Sequence, residues 1–172
     1  MPCTIRPAIP ADTETLGRIH AQAWQETYAA IMPPDIFAKL STVDARTAVR
    51  RDIFAFSTPR HGHFIVENET GDAVGFGDCG PARETGTYAP AEITTLYLLR
   101  RAQGQGLGGR LLVAMLEHLA AQGFASVALK ALTANEQAKG FYRHMGGRQA
   151  AEIPGDKWVE TIYVWDDLNA VK

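Results

Sequence analysis

A dense run of glycines is the part of this sequence best suited to chemistry. Residues 101–110 read Arg-Ala-Gln-Gly-Gln-Gly-Leu-Gly-Gly-Arg, and they lie between an apolar, strand-like run and an apolar, helix-like run. Where a strand turns through glycines into a helix, backbone N–H groups are exposed at the positive end of the helix dipole, which is an arrangement that binds phosphate. The segment therefore predicts a phosphate-bearing ligand.

More than one phosphate-binding motif fits these glycines by letter. Gly104, Gly106 and Gly109 match the dinucleotide fingerprint G-x-G-x-x-G. Gly104 and Gly109 also bracket four residues, as in the P-loop G-x-x-x-x-G-K-S/T, but Leu111 stands where that loop needs a hydroxyl for magnesium. The dinucleotide motif lies too late in the chain for a doubly wound half, although Lys130 in the place of its acidic residue suits a 2′-phosphate. An NADP-binding oxidoreductase domain therefore stays an alternative.

Hydrophobic patterning places the elements that must position these glycines. The predicted strands cover residues 4–6, 63–67, 73–79, 92–99, 126–132, 148–153 and 158–165. The predicted helices begin near residues 12, 35, 107 and 135, and the second of them runs to Phe56 with Ser41 or Thr42 as an internal cap. Hairpins come first and strand–helix alternation follows, so the order predicts an α/β fold with a mixed sheet and helices on both faces.

Composition limits the classes of protein to which the chain can belong. The 172 residues predict a single domain over 1–172, and 46% hydrophobic with 21% charged residues is typical of globular proteins. The net charge of -2 offers no basic excess for nucleic acid. Two cysteines without a C-x-x-C pair predict no metal site. Without a signal-peptide-like start or an apolar run of ~18 residues, we expect a soluble, cytoplasmic protein with no membrane partner.

Two segments together resemble the GNAT superfamily of N-acetyltransferases. Residues 101–106 resemble its acyl-CoA-binding motif R/Q-x-x-G-x-G/A, and residues 135–146 resemble its N-x-x-A-x-x-F-Y-x-x-x-G segment. The predicted order of elements matches too, so the resemblance covers nearly the whole chain. It implies a mixed, mostly antiparallel seven-stranded sheet with a splay between strands 4 and 5. It also implies an acyl-CoA N-acyltransferase that uses acetyl-CoA, needs no metal and acetylates a primary amine.

The resemblance assigns cofactor contacts along the fourth strand, the glycine segment and the next helix. Family members hold the CoA pyrophosphate on backbone amides of the glycine loop and the pantetheine arm on the splayed strand, where the N–H of Leu98 is the candidate for polarising the thioester carbonyl. Asn135 resembles an asparagine that binds the cofactor arm, and it is equally suited to capping a helix. The implied cofactor-binding residues are Leu96, Tyr97, Leu98, Arg101, Gln103, Gly104, Gln105, Gly106, Leu107, Gly108, Gly109 and Asn135.

The resemblance also implies a catalytic acid, whereas the base is less defined. Tyr142 matches the family tyrosine that protonates the departing thiolate, although it also lies on the apolar face of its helix. An amine with a pKa of ~10.4 must lose a proton before it attacks, at a cost of ~4.6 kcal/mol at pH 7. One branch, which acetylates protein N-termini, uses a glutamate at the position that is Lys130 here. Glu92 is therefore the first candidate base and Glu26 the second.

The acceptor side is expected to use aromatic residues of the first helix. Trp24 and Tyr28, together with Trp158 near the last strand, are candidate walls, although helical aromatics are also typical of a core. Glu26 or Asp78 is a candidate for attracting a cationic amine. The acceptor itself, a small molecule or a peptide amine, stays open. A non-catalytic acyl-CoA-binding module is the alternative outside enzymes. The resemblance also implies an edge-strand or β-swapped homodimer as one assembly.

Overall fold

Seven strands form one sheet in the computed structural model, which describes residues 3–170. The strands are β1 (Thr4–Pro7), β2 (Gly62–Glu67), β3 (Ala73–Pro81), β4 (Ala91–Leu98), β5 (Val127–Leu132), β6 (Arg148–Pro154) and β7 (Val159–Trp165). Their spatial order is β1-β2-β3-β4-β5-β7-β6, and β4 with β5 is the parallel pair, whereas the other neighbouring pairs are antiparallel. The predicted mixed, mostly antiparallel sheet is confirmed. The alternative prediction, a dinucleotide-binding domain with a doubly wound parallel sheet, is wrong.

Five helices connect these strands within residues 3–170. They are α1 (Thr13–Tyr28), α2 (Pro34–Leu40), α3 (Val43–Ala55), α4 (Leu107–Ala121) and α5 (Glu136–His144). The single helix expected from Asp35 to Phe56 is two helices, because Ser41 and Thr42 interrupt it. The Thr42 hydroxyl then caps α3 by accepting a hydrogen bond from the Ala45 amide at 3.2 Å.

The two faces of the sheet bury separate cores. Leu16 and Ile19 of α1 pack with Phe76 of β3 on one face. The apolar side of α4, including Leu111 and Met115, packs on the opposite face. α4 comes so close to β3 that a Cβ at Gly77 would lie 2.7 Å from the Met115 sulfur. The central strands are therefore clamped between α1 and α4.

β4 and β5 pair over only two residues of each strand. Ala91 aligns with Val127 and Glu92 with Ala128, and the two strands separate after that. The rest of β4 pairs with β3 alone. A change of register opposite Asp78 and Cys79 leaves Thr94 as the extra residue of a β-bulge, which is typical of strands beside functional sites. The predicted splay between strands 4 and 5 is confirmed.

Candidate active site

A cavity of about 450 Å³ opens where β4 and β5 separate. Its walls come from the end of α1, from β4 and β5, from the glycine turn before α4 and from α5. The residues predicted for the site that line it are Tyr28, Leu96, Tyr97, Leu98, Gln103, Gly104, Gly106, Gly108, Gly109, Asn135 and Tyr142. The other predicted residues do not appear in the cavity wall: Trp24, Glu26, Asp78, Glu92, Arg101, Gln105, Leu107 and Trp158.

The glycine turn presents backbone amides to this cavity. Gly104 and Gly106 have φ values of 73° and 74°, in the left-handed region that glycine adopts at low cost. Gly106 caps α4 without a side-chain hydrogen bond, so the amides of the first helical turn stay available for a ligand. The positive end of the helix dipole lies at the same place. The turn therefore fits an anionic phosphate group. The Leu107 side chain lies in the core, so the contact predicted for this residue stays a prediction for its amide alone.

Side-chain amides connect the glycine turn with β4 and with α5. Gln103 donates from Nε2 to the Leu98 carbonyl at 3.0 Å, and its Oε1 accepts from Gln137 at 2.8 Å. Asn135 caps α5, because its Oδ1 accepts from the Ala138 amide at 3.1 Å, and it also lines the cavity. The capping role of Asn135 is thus observed, and its contact with the cofactor arm stays a prediction.

Backbone groups of β4 face the open side of the splay. The Leu99 amide donates to the Val74 carbonyl on the β3 side at 2.9 Å. Backbone groups of successive residues in a strand point to opposite sides, so the N–H groups of Leu98 and Leu96 point away from β3, toward the cavity. The Leu98 carbonyl, which points the same way, is the one that Gln103 contacts.

The Tyr142 side chain lies in the wall formed by α5. Its ring packs against Tyr163 and Trp165, with centroid distances of 5.7 and 6.2 Å. Among residues 3–170, no side-chain hydrogen bond to its hydroxyl is found, so this donor is available to a ligand in the cavity. Burial raises the pKa of Tyr142 above its ordinary value, and the phenol therefore keeps its proton at neutral pH.

A pair of tyrosines closes the end of the cavity next to α1. The hydroxyl groups of Tyr28 and Tyr97 are 3.0 Å apart. Burial raises the pKa of both phenols, so both are neutral. Trp24 packs edge-on against Tyr28 at 5.1 Å and carries the Arg46 guanidinium over its ring at 4.3 Å. Trp24 therefore supports the wall from behind, whereas Tyr28 lies in it.

The two candidate bases make structural contacts outside the cavity wall. Glu26 accepts from the Arg100 amide at 2.6 Å, which ties α1 to the turn before the glycines. Glu92 is only 3% exposed, and its Oε2 accepts from the amides of Arg83 and Glu84 at 2.8 and 3.1 Å. Glu92 thus holds the loop between β3 and β4. For both glutamates the role of general base stays a prediction.

Several cavity residues were not anticipated from the sequence. Thr95 of β4 lies in the wall, as does Lys130 of β5, which forms ion pairs with Glu84 and with Glu160. Thr95 could have been found, because side chains two residues apart on a strand share a face and Tyr97 was already assigned. The contacts of Lys130 join three distant segments and carry no local signal.

Two negative findings apply to residues 3–170. No group of three or more His, Cys, Asp or Glu side chains is placed to hold a metal ion. None of the helices combines the length and the hydrophobicity needed to cross a membrane.

Comparisons with known proteins place the chain in a family. Its sequence is 29% identical over 173 residues to the uncharacterized N-acetyltransferase YuaI of Bacillus subtilis, covering 98% of this chain and 96% of that protein. The PaiA N-acetyltransferase of Thermoplasma acidophilum, solved with coenzyme A, superimposes with a TM-score of 0.72 at 18% identity, over 94% of this chain and 98% of that one. YncA of Salmonella typhimurium, solved with acetyl-CoA, also superimposes with a TM-score of 0.72, at 21% identity, over 96% of this chain and 94% of that one. The profile of the acetyltransferase (GNAT) family matches residues 19–146, and the chain therefore belongs to that family.

Proposed function

We propose that the protein transfers the acetyl group of acetyl-CoA to a primary amine, by direct attack while both substrates are bound. One observation carries this proposal. A single cavity brings together the amides of the glycine turn, the open backbone edge of β4 and the Tyr142 hydroxyl. Membership in an acetyltransferase family supports the same reaction class.

The residues present fit acetyl-CoA, which supplies an activated acetyl thioester when it is bound. The glycine turn and the first turn of α4 would hold its pyrophosphate, with Gln103 and the exposed Arg101 beside them. The N–H groups of Leu96 and Leu98 would bind the pantetheine arm and the thioester carbonyl. This donor set contains backbone amides and needs no metal ion.

The chemistry then needs one polarising donor and one acid. The β4 amide next to the thioester carbonyl, with Leu98 as the candidate, stabilises the negative charge that develops on its oxygen. The ammonium form of the amine first releases one proton to solvent. Its neutral nitrogen then forms a bond to the acetyl carbon, and the carbon–sulfur bond breaks. Tyr142 gives its proton to the sulfur, and the nitrogen releases a second proton to solvent, from which Tyr142 is reprotonated. We place the amine at the Tyr28 end of the cavity.

A matched pair of substitutions tests the acid. Tyr142→Phe should lower kcat about 100-fold or more, because general acid catalysis contributes about that much, while the Kd of acetyl-CoA stays within about twofold. Tyr163→Phe removes the buried hydroxyl of a neighbouring tyrosine, whose ring centroid is 5.7 Å from that of Tyr142 and which does not line the cavity, and it should leave kcat unchanged. Thiol release across a panel of amines measures kcat, and calorimetry measures the Kd.

Two results would contradict this assignment. A Tyr142→Phe enzyme with the wild-type rate would remove the tyrosine from the mechanism. Acetyl-CoA at a hundred times its Kd should stabilise the protein by ~2.7 kcal/mol. Stabilisation without turnover of any amine would indicate a non-catalytic acyl-CoA-binding module instead. The cytoplasmic location and the homodimer stay predictions, for cell fractionation and sedimentation to test.

A further inference from the structure

A buried carboxylate lies directly behind the acceptor end of the cavity. Asp78 of β3 is 3% exposed and accepts three side-chain hydrogen bonds. Arg50 of α3 donates to its Oδ2 at 2.7 Å, His63 of β2 meets its Oδ1 at 2.7 Å, and the Thr95 hydroxyl donates to Oδ2. Among these four residues Thr95 is the one that lines the cavity.

The carboxylate of Asp78 is ionised. Burial raises the pKa of this carboxyl, but the Arg50 charge and the hydrogen bonds from His63 and Thr95 outweigh it, so the pKa lies well below its ordinary value. An ionised carboxylate only accepts hydrogen bonds. His63 must therefore carry its proton on Nδ1, and its Nε2 is left facing the Ser57 hydroxyl at 2.9 Å.

This network fixes the role of the Thr95 hydroxyl. A hydroxyl group has one hydrogen to donate and two lone pairs to accept with. Asp78 takes the hydrogen of Thr95, so only the lone pairs remain for a ligand. Toward the cavity, Thr95 therefore acts as a hydrogen-bond acceptor, held in place by a buried ion pair.

The position of Thr95 suits it to the attacking nitrogen. It directly precedes Leu96, whose N–H faces the cavity, and it shares a sheet face with Tyr97, which contacts Tyr28 of α1. Tyr142 lies on α5 and packs in the core of the opposite sheet face, where the sulfur would leave. The Thr95 oxygen is thus on the side from which an amine approaches.

We propose that the Thr95 hydroxyl accepts an N–H hydrogen bond from the attacking amine, and that Asp78 acts as the positioning residue behind it. This inference rests on the proposed acetyl transfer. The nitrogen gains positive charge as it bonds to the acetyl carbon, so its hydrogen bond to an oxygen backed by a carboxylate is stronger in the transition state than before attack. Thr95 then contributes to kcat as well as to acceptor binding.

Substitutions on adjacent threonines test the proposal. Thr95→Val keeps the shape and removes the acceptor oxygen, and it should lower kcat/KM for the amine about 10- to 100-fold, the loss expected for a hydrogen bond to a charged group. Thr95→Ser should restore most of the rate. Thr94→Val is the matched control, because Thr94 also lines the cavity but its hydroxyl donates to the Asp78 backbone carbonyl at 3.3 Å and not to the Asp78 carboxylate. This control should stay within about threefold of wild type.

The measurements separate the proposal from a structural effect. The Kd of acetyl-CoA, measured by calorimetry, should be unchanged in all three variants, and this binding also shows that they are folded. If valine does not fit at position 95, Thr95→Ala replaces Thr95→Val. A wild-type kcat/KM for the amine in Thr95→Val or Thr95→Ala would overturn the inference, and so would an equal loss of acetyl-CoA affinity. Turnover by the wild type distinguishes failure of the Thr95 inference from failure of the proposed function. A wild type that turns over no amine would overturn both the inference and the proposed function.

Discussion

Replacing Arg50 by Met should lower the free energy of unfolding by about 3–5 kcal/mol at pH 7, because it leaves the Asp78 carboxylate buried without its cation. The two side chains are 1% and 5% exposed, and the atoms Nη1 and Oδ2 are 2.7 Å apart. Methionine fills a similar space but donates no hydrogen bond. His63 and Thr95 still contact Asp78, which keeps the expected loss inside this range.

The loss should depend on pH, and the sign follows from the pKa of Asp78. In the wild type this pKa is depressed, so Asp78 stabilises the fold above its unfolded pKa of ~3.9, and that contribution is lost as the pH falls through the folded pKa. Without Arg50, the folded pKa of Asp78 rises, because burial is then opposed only by His63 and Thr95, and the carboxyl takes up a proton at a higher pH than in the wild type. The variant should therefore lie closer to wild type at pH 4 than at pH 7.

Urea unfolding at the two pH values, followed by tryptophan fluorescence and circular dichroism, measures both effects. The matched control is Arg51→Met, because Arg51 pairs with Glu14 at 2.7 Å while both side chains are more than 60% exposed. An exposed pair contributes about 0–1 kcal/mol. The reasoning is refuted if the Arg51 variant loses as much as the Arg50 variant, or if the Arg50 loss is the same at both pH values.

Three further substitutions probe the site. Glu92→Gln separates two roles, measured by kinetics and by urea unfolding. Loss of a general base would lower kcat about 10²–10⁴-fold, whereas loss of the anchor for the β3–β4 loop would cost about 1–2 kcal/mol of stability. Because the Glu92 contacts are buried, we expect the loss of stability. Gly106→Ala forces a side chain into φ 74° and should lower the free energy of unfolding by about 1–2 kcal/mol in urea unfolding; an unchanged stability would contradict it. Tyr28→Phe leaves the Tyr97 hydroxyl without its partner and should lower stability by about 1–3 kcal/mol in thermal unfolding, while a gain in stability would speak against the pair.

The glycine-turn side of the cavity, where we propose that the cofactor binds, could be predicted from the sequence because it is made of consecutive residues. Gly104 and Gly106 adopt left-handed φ values, and Gly106 begins a helix without a side-chain cap; the residue types indicate both features. The Tyr142 position follows from the helical spacing after Asn135. Local geometry and local sequence therefore carry the same information here.

The acceptor half could not be predicted in the same way. Asp78 meets Arg50, His63 and Thr95 across 28, 15 and 17 residues of sequence, through pairing of β2, β3 and β4 and packing of α3. Glu92 shows the same limit. Its type and place on β4 favoured a base, and that role stays a prediction, but the contacts of its side chain with the amides of the β3–β4 loop could not be read from the sequence. Which partner a carboxylate chooses depends on tertiary contacts that no residue pattern records.

The splay explains why one site can use both faces of the sheet. A paired β4–β5 ladder would separate the α1 side from the α4 side with a continuous wall of backbone hydrogen bonds. Pairing that stops after Glu92 leaves β4 amides unpaired and opens a passage between the faces. Tyr142 stands on the side of α5, whereas Thr95 and Tyr28 stand on the side of α1. The proposed acid at the leaving sulfur and the proposed acceptor at the entering nitrogen can then reach one acetyl carbon from different sides of the sheet. Substitutions that re-pair β4 with β5 should abolish catalysis while preserving the fold.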